Sequence, residues 1–280
     1  DHDPYFDGGA AEKLLYKAIA TLPDKQRLVF NMRYFDEMPY AQMSEIVGTS
    51  EGALKASYHL AVKKVEQYIL DNTKPEEELL HRLERETYLR VINPRMISGH
   101  LQGKLLEMLV RMMRPKRVLE IGTFTGYSAL SIARGLEDGA YIDTIEVDDE
   151  LEDIAAKYFE QSEYGHHIRQ HIGSALDVVP RLGEKYDMVF MDGDKREYPA
   201  YYDMLMDGGL LHSGSVILAD NILWYGKVVQ PVSGSGYGAF EVQHRIVNLV
   251  AGRPIPIHCL GYAFYSFFQS RGVAGHSFEL

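Results

Sequence analysis

The chain has 280 residues, 46% of them hydrophobic and 25% charged, an ordinary globular composition with length for one large domain or two smaller ones. A formal net charge of −11, from 29 Lys and Arg against 40 Asp and Glu, excludes a general nucleic-acid binder, whose affinity comes from cationic side chains, but leaves room for a local basic face. No apolar run reaches the roughly 18 residues that a bilayer crossing needs, and no basic-then-apolar leader opens the sequence, so a cytoplasmic protein with no membrane partner is expected; the one cysteine, Cys259, agrees with a reducing compartment and reads as a small apolar filler.

Residues 1–70 read as all helix. Apolar positions recur at helical spacing through Leu14, Leu15, Ala18 and Ile19, then Leu28, Val29 and Met32, then Met43, Ile46 and Val47. Pro23 marks a helix start, and Gly48-Thr49-Ser50 breaks one helix and caps the next. A short helix at about Tyr40 to Val47 is therefore joined by a three-residue turn to a longer one at about Glu51 to Leu70, which is helix-turn-helix spacing. On the second helix Lys55, His59, Lys63 and Lys64 are placed for phosphates, and Ser57 or Glu51 for base edges. A small helical bundle with a solvated charged face fits the same pattern equally well.

Residues 73–231 alternate between helix and strand patterns. Thr73-Lys74-Pro75 is expected to open a helix with acidic residues in its first turn, and another helix follows at about Leu101 to Met113. Short apolar runs then mark strands at Arg117 to Ile121, Tyr141 to Glu146, Ile168 to Ile172, Asp187 to Met191 and Ser215 to Ala219. Strands spaced by helices predict an α/β fold with a parallel sheet covered on both faces, and a ligand at the carboxyl ends of its strands. Residues 232–280 begin with a Gly/Ser linker-like stretch and are unusually aromatic at Tyr262 to Phe268; no fold is assigned to them.

The run VLEIGTFTGYSA turns from a strand at Gly122 into a helix near Tyr127. Its glycines, Gly122 and Gly126, are four apart with no third, which is not the spacing that seats a dinucleotide pyrophosphate. Such a loop suits S-adenosylmethionine, whose charged groups are an ammonium, a carboxylate and a sulfonium. Glu120 supplies an anion beside it, and Glu146 at the next strand's end is placed to accept from ribose hydroxyls. Asp192, Asp220 and Asn221 follow two further strands; singly each reads as a turn-former, but together they are hard oxygen donors that suit Mg²⁺ or Ca²⁺ rather than zinc. Lys195 reads either as a reactive amine or as a surface lysine pairing Asp194, and Trp224 either as a wall for an aromatic substrate or as core.

Five motifs in order, VLEIGTFTGYSA, IEVD, GSALD, FMDGDK and LADNILWYGKV, resemble the caffeoyl-CoA and catechol O-methyltransferases over about residues 76–231. The resemblance implies a Rossmann-like S-adenosylmethionine-dependent methyltransferase sheet and a catechol-like or other small phenolic acceptor. By matching position it assigns a divalent metal to Asp192, Asp220 and Asn221, the cofactor to Met96, Ser98, Gly103, Glu120, Gly122, Ser128, Glu146, Ala175 and Asp192, and the catalytic base to Lys195. A lysine with an ordinary pKa of about 10.4 is a neutral base at pH 7 only beside a strong positive charge such as that dication. Relatives continue past the position of Val232 with a helix and an antiparallel strand pair that support a homodimer, and residues 232–280 do not match those elements.

The segment from Leu22 to Ile69, LPDKQRLVFNMRYF through KKVEQYI, resembles the promoter-reading C-terminal domain of extracytoplasmic-function sigma factors. That likeness implies a small all-α helix-turn-helix domain with promoter DNA or RNA polymerase as partner. Two functions are thus expected as alternatives: a metal-assisted O-methyltransferase, and a DNA-binding regulator whose methyltransferase part is accessory or inactive.

Overall fold

The computed structural model describes residues 15–36 and 38–220. The expectations placed on Asn221, Trp224, Cys259 and the 232–280 segment lie outside those residues. The described chain falls into two compact units that divide between Pro75 and Glu76, and among the described residues no helix is long and apolar enough to cross a membrane.

The first unit is helical: helical residues at 15–20, then α1 at Asp24–Tyr34, α2 at Tyr40–Val47 and α3 at Glu51–Asp71. Pro23 sits at the N-cap of α1, where its missing N–H costs nothing and its fixed φ suits the helix entry. Gly48 ends α2 with φ +66°, the left-handed stop glycine favours. Ser50 then caps α3, its Oγ accepting from the Ala53 amide at 3.4 Å. Val29, Met32, Met43 and Leu54 close one small core across the three helices. That core fixes the two helices of the helix-turn-helix and leaves Lys55, His59, Lys63 and Lys64 exposed.

The second unit runs α4 (Glu78–Arg90), a 3₁₀ turn (Pro94–Met96), α5 (Gly99–Met113), β1 (Arg117–Ile121), α6 (Tyr127–Ala133), β2 (Tyr141–Glu146), α7 (Glu152–Gln161), β3 (Ile168–Ile172), α8 (Ala175–Leu182), β4 (Tyr186–Met191), α9 (Tyr198–Asp207) and β5 (Leu211–Ala219). The strands form one sheet in the order β3-β2-β1-β4-β5, every pair parallel. Alternation along β1 sends Val118 to a core with Leu83, Leu106, Val110 and Ile132, and Leu119 and Ile121 to a core with Val179, Tyr198, Tyr202 and Leu205. Both faces are therefore helix-covered, as an all-parallel sheet requires. Strand order reverses between β1 and β4, and the crevice at that reversal is where such sheets hold ligands.

Two expected boundaries are corrected. The helix expected to open at Thr73–Pro75 starts at Glu78, because the acidic residues before it are engaged elsewhere: Glu76 accepts from the Tyr127 hydroxyl and Glu77 from Arg134 at 2.6 Å. β5 begins at Leu211, four residues before the apolar run, and its pairing with β4 is irregular between Tyr186 and Met188. His212, Ser213 and Gly214 are exposed and carry no apolar signal, while Ser215 Oγ donates to the Tyr186 carbonyl at 2.8 Å to hold the irregular stretch.

Candidate active site

The site is built where β1, β2, β4 and β5 end. Gly122 follows β1 with φ +104°, and a Cβ built there would lie 2.6 Å from the Asp192 carbonyl oxygen. The loop after β1 and the loop after β4 thus meet backbone to backbone, which only glycine permits. The surrounding amides stitch the strand ends together: Gly122 N–H to Ile145 O at 2.9 Å, Asp192 N–H to Ile121 O at 2.8 Å and Asp220 N–H to Met191 O at 2.9 Å. At Gly126, φ +93°, a Cβ would run into the Phe159 ring at 2.5 Å, so the loop also lies tight against α7.

Glu120 is fully buried. Thr144 donates to its Oε2 at 2.5 Å, while Oε1 has no hydrogen-bond partner among the described residues. Burial pushes its carboxyl up to about 8, the Ser128 and Thr144 hydroxyls pull the other way, and the charges of Asp192 and Glu146 add to the rise. Glu146, 8% exposed, holds the loop instead: its Oε2 accepts from the Phe124 amide at 2.6 Å and its Oε1 from the Val147 and Asp148 amides at 2.9 and 3.0 Å. A carboxylate has about four acceptor positions, so one remains after these three bonds.

Across the crevice Lys195 donates to Asp192 Oδ1 at 2.7 Å and to the Tyr198 hydroxyl at 2.7 Å. The bland reading of Lys195 as the partner of Asp194 is not what the structure shows, because Arg196 takes both oxygens of Asp194 at 2.6 to 3.1 Å. Asp192 and Asp220 each follow a register pair, Met191 opposite Ala219, so they leave adjacent strands side by side at the ~4.8 Å spacing of a sheet. Both charges, after burial, push the Tyr198 phenol well above its ordinary range, which makes Tyr198 a fixed hydroxyl close to both. Two carboxylates so placed fit a hard divalent cation by donor chemistry.

Of the other residues assigned to the cofactor, Ser128 is buried in the first turn of α6 and Ala175 is buried as the first residue of α8. Ser98 is half-buried just before α5, and Met96 is 64% exposed on the 3₁₀ turn. Gly103 lies where α5 crosses α6; a Cβ there would meet Ser131 Oγ at 2.5 Å and the Tyr127 ring at 2.8 Å, so its small size serves helix packing. Sequence reasoning missed Tyr198 and the Thr123–Thr144 hydroxyl pair at 2.6 Å. The only signal for Tyr198 is its place three residues after Lys195, at the point where the loop after β4 gives way to α9.

Glu120 sets a pH dependence. Between about 4.5 and about 8 its carboxyl is protonated in the fold and ionised once unfolded, so unfolding releases a proton and stability falls as pH rises through that window. Glu120→Gln is expected to remove that slope and to stabilise the second unit at pH 8 by on the order of 4 kcal/mol. Melting curves of both proteins at pH 5 and pH 8 measure it; parallel curves would show that the carboxyl ionises freely in the fold.

Residues 71–244 match the family model described as O-methyltransferase, a span that reaches past Pro231, and residues 12–65 match the model described as sigma-70, region 4. Caffeoyl-CoA O-methyltransferase 2 of Petunia hybrida is 35% identical over 173 residues, covering 59% of this chain and 70% of that protein. Catechol O-methyltransferase of Niastella koreensis is 33% identical over 132 residues, 46% of this chain and 59% of that protein, so the chain spans less than two thirds of this second relative. Among solved structures, the O-methyltransferase TomG from Streptomyces achromogenes in complex with SAM superposes with a TM-score of 0.62 at 30% identity, covering 68% of this chain and 84% of that one. An O-methyltransferase from Bacillus cereus in complex with SAH does so with a TM-score of 0.62 at 29% identity, covering 68% and 86%.

Proposed function

From the premise that this chain belongs to the O-methyltransferase family, we propose that it transfers a methyl group from S-adenosylmethionine to one hydroxyl of a catechol-like or other small phenolic acceptor, with a divalent metal at Asp192, Asp220 and Asn221. The observation that carries the reading is the pairing, at one strand-order reversal, of a buried unpartnered carboxylate oxygen on Glu120 with the Lys195–Asp192 pair. A cationic donor such as the ammonium of S-adenosylmethionine would hold the Glu120 carboxyl in its ionised form and supply the partner that its Oε1 lacks. The remaining acceptor position of Glu146 suits a ribose hydroxyl, and Gly122 lets the main chain approach the ligand.

The reaction is an in-line displacement. The acceptor oxygen forms a bond to the methyl carbon as the sulfonium–carbon bond breaks, the sulfonium becoming a neutral thioether and the hydroxyl proton passing to Lys195 Nζ in its neutral amine form, the ammonium proton having first been lost to solvent. Lys195, held by two hydrogen bonds, needs little reorganisation to meet that oxygen. A dication in the site would bind the hydroxyl oxygen and lower its pKa. Incubation with S-adenosylmethionine, Mg²⁺ and a catechol should release S-adenosylhomocysteine, and EDTA should stop it. Turnover that persists undiminished in EDTA would remove the metal from the proposal.

A second reading concerns the first unit, where the sigma-70 region 4 match coincides with exposed Lys55, His59, Lys63 and Lys64 on α3. It is the docking of α3 into the major groove of promoter duplex. Binding should weaken steeply between 50 and 200 mM salt, and Lys63→Ala should flatten the slope of log K against log salt by about 1. No binding to duplex at the lower salt would exclude this reading.

A further inference from the structure

We propose that Tyr198 is a positioning residue whose single hydroxyl holds Lys195 and the chain segments carrying Asp192 and Asp220 as one rigid assembly. The inference rests on the function proposed above. Tyr198 is the first residue of α9 and is followed by Pro199, which fixes the backbone at the helix start. Its side chain is fully buried in the core that includes Val189, Met191 and Leu205.

The hydroxyl makes three contacts, and each reaches a different part of the site. It donates to the Met191 carbonyl at 2.7 Å, the residue before Asp192. The Asp220 carbonyl lies at 3.2 Å on the same side, so one proton is shared between the ends of β4 and β5. It accepts from Lys195 Nζ at 2.7 Å. A phenol has one proton to give, and with that proton committed to backbone carbonyls its lone pairs are what Lys195 meets. The ammonium, also bound to Asp192 Oδ1 at 2.7 Å, is thereby held at two points.

This matters because a lysine is long and flexible. A free ammonium samples many rotamers and gives up that freedom on meeting its reaction partner, and a misplacement of about 1 Å can cost on the order of 100-fold in rate. A tyrosine that merely fills the core would perform as well with its hydroxyl removed. The assembly therefore makes a distinct demand on the oxygen atom, separate from the ring.

Tyr198→Phe keeps the ring and removes the tie. Calorimetry of S-adenosylmethionine and of Mn²⁺, each alone, and steady-state methyl transfer should be compared with the wild-type chain. Cofactor affinity is expected within about twofold, which also certifies the fold, while kcat drops roughly 10- to 100-fold and the acceptor KM changes far less. Mn²⁺ affinity is expected to fall roughly 10-fold or more, as when a group that orients metal ligands is lost. If kcat and Mn²⁺ affinity both stay within twofold of wild type, the hydroxyl positions nothing. A wild-type chain without turnover would defeat the proposed function, and the Mn²⁺ comparison would still decide the role of Tyr198. Should Tyr198→Phe lose cofactor binding through misfolding, 4-fluorophenylalanine installed at position 198 fills the oxygen's volume without a donor and carries the same expectations.

Discussion

Lys195→Ala is expected to lower kcat for methyl transfer by roughly 10²- to 10⁴-fold, the usual contribution of a positioned acid–base group, with little change in affinity for S-adenosylmethionine. The expectation follows from geometry. Lys195 Nζ is bound to Asp192, which directly follows β4, and to Tyr198 at the start of α9, whose hydroxyl reaches the Met191 and Asp220 carbonyls at the ends of β4 and β5, so the amine is held beside those strand ends. The cofactor side of that crevice is made by Glu120, Gly122 and Glu146, whose side chains bond to Thr144 and to the Phe124, Val147 and Asp148 amides rather than to Lys195. Stability should change little: the lysine side chain is 25% and Asp192 21% exposed, so water can replace the lost donor, and a partly exposed ion pair is worth about 1 kcal/mol or less. Single-turnover methyl transfer beside a calorimetric cofactor titration separates the effects. An undiminished rate would take the proton-accepting role away from Lys195.

Gly122→Ala is expected to destabilise the second unit and to damage its candidate site at once. Two penalties coincide: φ is +104°, where an L side chain is strained, and the new Cβ would press on the Asp192 carbonyl at 2.6 Å. The obstacle is backbone tied by the Asp192 amide to Ile121, so it cannot swing aside as a side-chain tip would. A loss of about 2 to 4 kcal/mol is expected, together with loss of cofactor binding. Gly139 provides the control. Its φ is +78° but nothing lies within 4 Å of its Cβ position, so Gly139→Ala should show backbone strain alone, about 1 to 2 kcal/mol. Denaturant melts of the two variants make the comparison, and equal losses would mean that the close approach adds nothing.

Much of the sheet was legible because β1, β2 and β4 are buried along nearly their whole length and read as apolar runs, while β3, only partly buried, is bounded by Ile168 and Ile172. β1, β2 and β3 begin and end where those runs do. β5 was not, since His212 to Gly214 are exposed and the stretch is tied to β4 by polar contacts, His212 Nε2 with Asp187 Oδ1 at 2.7 Å and Ser215 Oγ to the Tyr186 carbonyl, rather than by apolar packing. The start of α4 was misjudged for a different reason: the acidic residues Glu76 and Glu77 look like a helix's first turn, but they serve Tyr127 and Arg134, some fifty residues away in sequence. The acids at strand ends were readable from their positions. The partner of Lys195 was not, because a choice between Asp192 and Asp194 depends on which way a loop turns. Tyr198 left almost no trace, since a tyrosine in an apolar stretch reports burial without saying what its oxygen touches.

The contact between the Gly122 and Asp192 backbones has a consequence for anyone redesigning the acceptor preference. A floor made of main chain has no side chains to swap, so its shape stays the same through most substitutions around it. Diversity introduced at side chains around that floor can then be screened against a constant main-chain frame, provided that Gly122 is kept out of the library.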